Sequence, residues 1–141
     1  QEDYWQHHLR ESEVAAWRGV AFEEVCLRHV KQIKQALQIG AVSSTESAYV
    51  TKGDEKTEGM QIDLVIDRND DVVNLCEIKF SKSPYVISQA YARRLAARQE
   101  TLEKSVRNKT FMLTYIGNSP LAENEYADIF PCQLTSEDLF A

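Results

Sequence analysis

The chain has 141 residues, 43% hydrophobic and 27% charged, with five Gly, three Pro and three Cys. That is the size and balance of one globular domain with its own core, which excludes a disordered chain, a collagen-like repeat and a disulfide-stapled miniprotein. The formal charge of −6 sets the surface as a whole against polyanions, and no apolar run reaches the ~18–20 residues that span a bilayer.

Residues 1–12 are polar, carry Tyr4 and Trp5, and read as an arm or linker. The adjacent His7 and His8 cannot both aim at one metal ion from regular structure, and no third ligand follows them. Phe22, Cys26, Val30, Ile33 and Leu37 recur at helical spacing and predict a long helix over 13–39. Gly40 is expected to stop it, and Gly19 to mark a kink or a close backbone approach. A short strand is expected at 46–52 and a polar turn at 53–59. Residues 61–68 and 72–80 form two strand-like runs joined by the turn residues Asn69, Asp70 and Asp71, a β-hairpin. A second helix is expected from Ser83 or Pro84 to about Val106, with Ile87, Tyr91, Leu95, Leu102 and Val106 inward. Residues 110–116 read as a buried strand, and 128–134 as an edge strand because Pro131 cannot donate to a ladder. Thr135 is the expected N-cap of a terminal helical turn, with Asp138 three residues on. The order is α-β-β-β-α-β-β-α, which packs as a mixed central sheet flanked by helices, an α/β or α+β fold.

Cys26, Cys76 and Cys132 are odd in number, widely spaced and set among apolar residues. They predict buried free thiols and fit a reducing cytoplasm. No cationic segment followed by an apolar one marks a secretory signal, and the missing initiator Met predicts a piece of a longer protein.

The chemistry concentrates in the hairpin. Alternation along a strand places Glu77 and Lys79 on one face, with Ile78 and Phe80 on the other. The position of Asp63 depends on register. A three-residue loop at 69–71 sets Asp63 across from Glu77, whereas a two-residue loop sets it across from Cys76 and sends the carboxylates to opposite faces; a bulge would shift either arrangement. Two carboxylates ~5 Å apart across a hairpin repel unless something neutralises them. Lys79 does so in part, and a divalent cation would do so fully. Mg²⁺ is held by one or two carboxylates with waters and substrate phosphate. Such an ion polarises a phosphodiester oxygen and acidifies a bound water, while a neighbouring lysine orients or deprotonates that water and offsets charge building on phosphorus. On the first helix Glu23 falls ~60° from the centre of the apolar stripe and Glu24 ~160° from it, so Glu23 is the helical acid able to face the sheet. The alternative reading of the same residues is a solvent-facing strand with a cross-strand salt bridge. Charge distribution adds a second signal. Residues 79–109 hold eight basic residues against Glu100 and Glu103, a local +6 that leaves −12 for the rest of the chain. Arg93, Arg94 and Arg98 could hold phosphates there, although Arg98 lies near the inner stripe, where a buried acid could be its partner.

The strings WRGVAFEEVCLRHVKQIKQAL (17–37), GMQIDLVIDRNDDVVNLCEIKFSKSPYVI (59–87) and the tail 123–140 resemble the PD-(D/E)XK nuclease superfamily. More closely, they resemble the C-terminal domain of archaeal-type AAA+ ATPases found in archaea and bacteria. The resemblance implies a restriction-endonuclease-like fold with a mixed four-stranded central sheet, residues 13–141 forming the nuclease-like domain and 1–12 linking it to an upstream ATPase domain. It implies a metal-dependent endo- or exodeoxyribonuclease using Mg²⁺ or Mn²⁺, with Asp63 and Glu77 as metal ligands, Lys79 as the catalytic lysine and Glu23 as the helix glutamate. Gln61 matches the residue that the family keeps beside the acidic position. In related nucleases a glutamine and a tyrosine of the following helix approach the substrate, which points to Gln89 and Tyr91, although their spacing departs from Gln-x-x-x-Tyr and Tyr91 lies on the inner stripe. The proline of the nominal motif is Ile62 here, and no GxxxxGK[ST] is present. The implied partners are DNA, the upstream ATPase and a second copy in a homo-oligomer. The alternative is a catalytically silent nuclease-like module that binds DNA or protein and regulates the ATPase.

Overall fold

The computed structural model describes residues 2–51 and 59–140. The polar turn expected at 53–59 falls outside it apart from Gly59, as do the side chains of Tyr4, Trp5, His7 and His8. The elements in chain order are α1 (Glu2–Arg28), α2 (Val30–Ala36), β1 (Ser44–Thr51), β2 (Met60–Arg68), β3 (Val72–Lys79), α3 (Gln89–Ser105), β4 (Thr110–Gly117), a 3-10 turn (Ala127–Ile129), β5 (Cys132–Thr135) and α4 (Ser136–Phe140). The strands form one mixed sheet in the order β1-β2-β3-β4-β5. The first three are antiparallel, and β4 and β5 join in parallel. This is the expected α/β architecture with one strand more than four, β5 at an edge, and β3-α3-β4 as the crossover that a parallel pair requires.

Two cores follow from the alternation of β3 and β4. Val73, Leu75, Phe111, Leu113 and Tyr115 pack with Tyr91, Ala92 and Leu95 of α3. Cys76, Ile78 and Ile116 face the other way, against Cys26 of α1, Ile33 of α2 and Leu139 of α4. Asn74 and Thr114 lie buried in the second layer and satisfy each other through Asn74 Nδ2, which donates to Thr114 Oγ1 at 3.0 Å.

The expected single helix over 13–39 is two helices, and the first begins at Glu2, inside the stretch read as an arm. The break at His29 has a local cause. In an unbroken helix the His29 N–H would bond the Val25 carbonyl. Here the imidazole Nδ1 takes that carbonyl at 2.6 Å, and the His29 N–H turns to the Cys26 carbonyl. The ring is held edge-on against Phe140 of α4, centroids 5.2 Å apart. Gly40 does not end α2. Gln38, at φ 61°, takes the left-handed position, with Gln38 N–H on the Gln35 carbonyl and Ile39 N–H on the Lys34 carbonyl, a Schellman end. A β-carbon is disfavoured at that φ, so Gln38→Gly is expected to raise stability by about 0.5–1 kcal/mol, read as a higher urea midpoint at unchanged m-value. Gly19 marks no close approach: an added Cβ would meet nothing within 4 Å. The second long helix opens at Gln89 rather than at Pro84, because the Ser88 side chain accepts the Tyr91 N–H at 3.1 Å and caps it. Asp138 Oδ2 accepts the Thr135 N–H at 2.8 Å, closing the start of α4 from its third residue. All three cysteines are free; Cys26 and Cys76 are buried, and Cys132 on the edge strand is half-buried rather than buried.

Candidate active site

The loop at 69–71 has three residues, and the ladder runs Asp67↔Val73 through Leu64↔Cys76. This register, continued by one step, sets Asp63 against Glu77. The β2–β3 ladder stops at that step, and the Asp63 carboxylate takes over from it: Oδ2 accepts the Ile78 N–H at 2.8 Å. On the other side of β2, Ser47 pairs with Val65 and Tyr49 with Ile62, so Asp63 and Leu64 together oppose the single residue Ala48. This bulge explains why Leu64 packs in the α1 layer while Ile62 packs in the α3 layer. Asp63 therefore stands where β2 leaves β3, with its carboxylate anchored to the strand that carries Glu77 and Lys79.

Glu77 is 5% exposed. Its Oε1 accepts from the Tyr91 hydroxyl at 2.7 Å and from Arg98 Nη1 at 3.3 Å. Burial raises the Glu77 pKa, and the Asp63 charge raises it further against the lowering effects of the Tyr91 hydrogen bond, Lys79 and Arg98. Glu23, half-buried on α1, is raised by burial and then by Asp63, with Lys79 opposing. Asp63 and Lys79 thus act on both glutamates, Glu77 and Glu23. Glu24 is exposed, as its helical angle requires. The Lys79 ammonium rests over the Tyr91 ring at 4.9 Å and the Tyr85 ring at 5.8 Å, a cation–π setting that limits where it can point.

Among the described residues, no group of three or more His, Cys, Asp or Glu side chains is placed to enclose a metal ion. The pair Asp63 and Glu77 nonetheless fits a hard cation that keeps most of its waters. Each carboxylate is oriented by bonds to one oxygen, Oδ2 and Oε1, and among the described residues no donor reaches the other. Two carboxylate oxygens are the protein ligand set that Mg²⁺ commonly takes beside a phosphate.

The remaining candidates are placed less centrally. Gln61 is exposed, and it is its backbone carbonyl that serves the site, accepting from Arg98 Nη1 at 3.0 Å. Gln89 is exposed at the first residue of α3. Arg93 is exposed and acts on Tyr126, away from the carboxylates. Arg94 is exposed, with its guanidinium 5.6 Å from the Tyr91 ring centre. Arg98 is the acid's partner and not an exposed phosphate contact, as its place on the inner stripe allows. Tyr91 does more than pack, because its hydroxyl orients Glu77. The available signal was the pair Tyr91 and Arg98, two helical turns apart on one face.

Folding takes up protons at Glu77 and Glu23 between the ordinary carboxyl pKa of 4.5 and their raised values, so their contribution to stability falls as pH rises through that window. Glu77→Gln is expected to flatten this fall, measured as a smaller difference in urea-unfolding free energy between pH 5 and pH 7 than in the wild type.

Neither a family model nor a curated protein matches the chain. Among solved structures it is similar to a protein of unknown function, AF1548, at 19% identity and a TM-score of 0.48, over 72% of this chain and 53% of that one.

Proposed function

We propose that this domain is a Mg²⁺- or Mn²⁺-dependent nuclease of the PD-(D/E)XK kind that hydrolyses DNA phosphodiester bonds, working in the cytoplasm as the C-terminal part of an AAA+ ATPase. The observation that carries the reading is the Asp63 carboxylate fixed to the Ile78 N–H, beside Glu77 and on the segment that bears Lys79. Asp63 and Glu77 would hold the ion, which supplies charge on the scissile phosphate and an acidified water. Tyr91 and Asp63's own backbone anchor keep the two carboxylates in place before substrate arrives, so little reorganisation remains for the reaction. Lys79, steadied on its two tyrosine rings, orients the attacking water and offsets charge developing on phosphorus. Glu23 holds a water on the α1 side. Arg94, at the rim above Tyr91, contacts a flanking phosphate.

The Arg98–Glu77 ion pair favours a second reading, a silent module whose acid is neutralised by protein alone. One experiment separates the two. With millimolar Mn²⁺, the nuclease reading expects cleavage of labelled DNA and a rise in melting temperature, since an ion that binds only the folded state stabilises it. Both effects are expected to vanish in Asp63→Asn. A wild-type protein that shows neither is the silent module.

A further inference from the structure

A groove of about 310 Å³ lies between α1 and the residues that follow β3, lined by Arg10, Arg18, Lys82, Phe80 and Glu11. Resting on the nuclease reading above, we infer that this groove binds the backbone of a single polynucleotide strand leaving the Asp63–Glu77–Lys79 site. Its floor begins one residue after Lys79, at Phe80, which is fixed by its ring contact with Phe22 of α1 at 5.8 Å. The groove lies on the α1 side of the sheet, and α1 borders both it and the site, carrying Arg18 at the groove and Glu23, which feels the charges of Asp63 and Lys79, at the site.

Charge selects the occupant. Three cations face one carboxylate in a protein of net charge −6. Among the described residues Arg10, Arg18 and Lys82 form no ion pair. Uncompensated cations gathered in a groove attract a polyanion. Arg10 and Arg18 are eight residues apart on α1, ~12 Å along its axis, far enough apart to meet different phosphates of one strand.

Trp17 selects a single strand. It is 70% exposed and lies two turns beyond Arg10 and one beyond Val14 on the same stripe of α1, both of which line the groove. An exposed indole at the edge of a cationic track is a stacking surface for an unpaired base; in a duplex the bases are already stacked on one another.

The test uses Asp63→Asn protein without metal, so that binding is read apart from cleavage, and a fluorescent oligothymidylate of about ten residues. Anisotropy titrations over a range of salt are expected to show binding. The combined Arg10→Ser, Arg18→Ser and Lys82→Ser variant should bind at least about tenfold more weakly. Its log K against log salt slope should be shallower by about 2, three contacts at ~0.7 each. Trp17→Ala should lose about tenfold in affinity for the oligomer and little for a duplex of the same length. All four positions are exposed, and thermal melts check that the variants stay folded. Folded variants with unchanged affinity and salt slope overturn the inference, as does a loss at Trp17 that is equal for duplex and single strand. Metal-dependent cleavage measured in parallel separates this outcome from the function proposed above. Cleavage that survives the triple variant with unaltered oligomer binding removes the groove and keeps the nuclease. Groove-dependent binding by a wild-type protein that never cleaves keeps the groove and removes the nuclease.

Discussion

On the nuclease mechanism proposed above, Lys79→Ala is expected to reduce metal-dependent DNA cleavage by roughly 10²–10⁴-fold, the range typical of losing a positioned proton-handling group, while the Mn²⁺-induced rise in melting temperature persists. The two readouts divide because the proposed mechanism gives the lysine and the carboxylates different tasks. Asp63 and Glu77 are oriented by Ile78 N–H, Tyr91 and Arg98, none of which involves the lysine side chain, so the pair remains able to take an ion. Truncating Lys79 removes the ammonium that lies over the Tyr91 and Tyr85 rings, a contact worth about 0.5–2 kcal/mol, and leaves the cores intact. Loss of the positive charge also leaves the two acids less compensated, so the thermal shift is expected to be no smaller than in the wild type. Lys79→Arg is not expected to restore the rate, because a planar guanidinium cannot place a single donor where the compact ammonium stands. Cleavage at the wild-type rate in Lys79→Ala would assign the activity to a contaminant.

Gly117→Ala is expected to destabilise the fold by about 2–3 kcal/mol, at the upper end of overpacking in a well-filled core. The reason is space and not backbone angle, since Gly117 does not have a positive φ. Tyr115 and Gly117 share one face of β4. The Tyr115 ring passes over Gly117 so that its hydroxyl can donate to the Ser119 carbonyl at 2.6 Å. A Cβ at 117 would be driven into that hydroxyl and ring. Tyr115 has little room to retreat: it is 1% exposed, stacked on Tyr85 and edge-on to Phe130. The disturbance reaches the candidate site, because Gly117 is the strand partner of Lys79 and Tyr85 lies under its ammonium. Equilibrium urea unfolding measures the loss, and a double-mutant cycle identifies its cause. In a Tyr115→Ala background the same glycine substitution should cost close to nothing; a full cost there would place the strain elsewhere.

The helical and extended stretches and their order along the chain were legible because each has a clean period. The stripe from Phe22 to Leu37 is helical, the runs on either side of Asn69-Asp70-Asp71 are extended, and local periodicity does not depend on what packs against it. The boundaries were less legible, because they turn on single hydrogen bonds. His29 divides a continuous apolar stripe by bonding its ring to the Val25 carbonyl. Ser88 caps α3 so that it opens at Gln89, five residues after Pro84. Gln38 adopts the left-handed conformation in place of the glycine two residues beyond it.

For the site, the sequence by itself determined that Glu77 and Lys79 share a face and that Glu23 rather than Glu24 can look inward, since strand alternation and helical angle are fixed by covalent geometry. It also determined that an odd loop would be needed to bring Asp63 opposite Glu77. Only the tertiary structure decided the rest. The three-residue loop sets the register, the β2 bulge and the Ile78 N–H fix the Asp63 carboxylate, and α3 brings Tyr91 and Arg98 onto Glu77. Those contacts join residues far apart in the chain, and their geometry depends on how a bulged strand and a crossover helix pack across a sheet, which no local pattern of residues encodes.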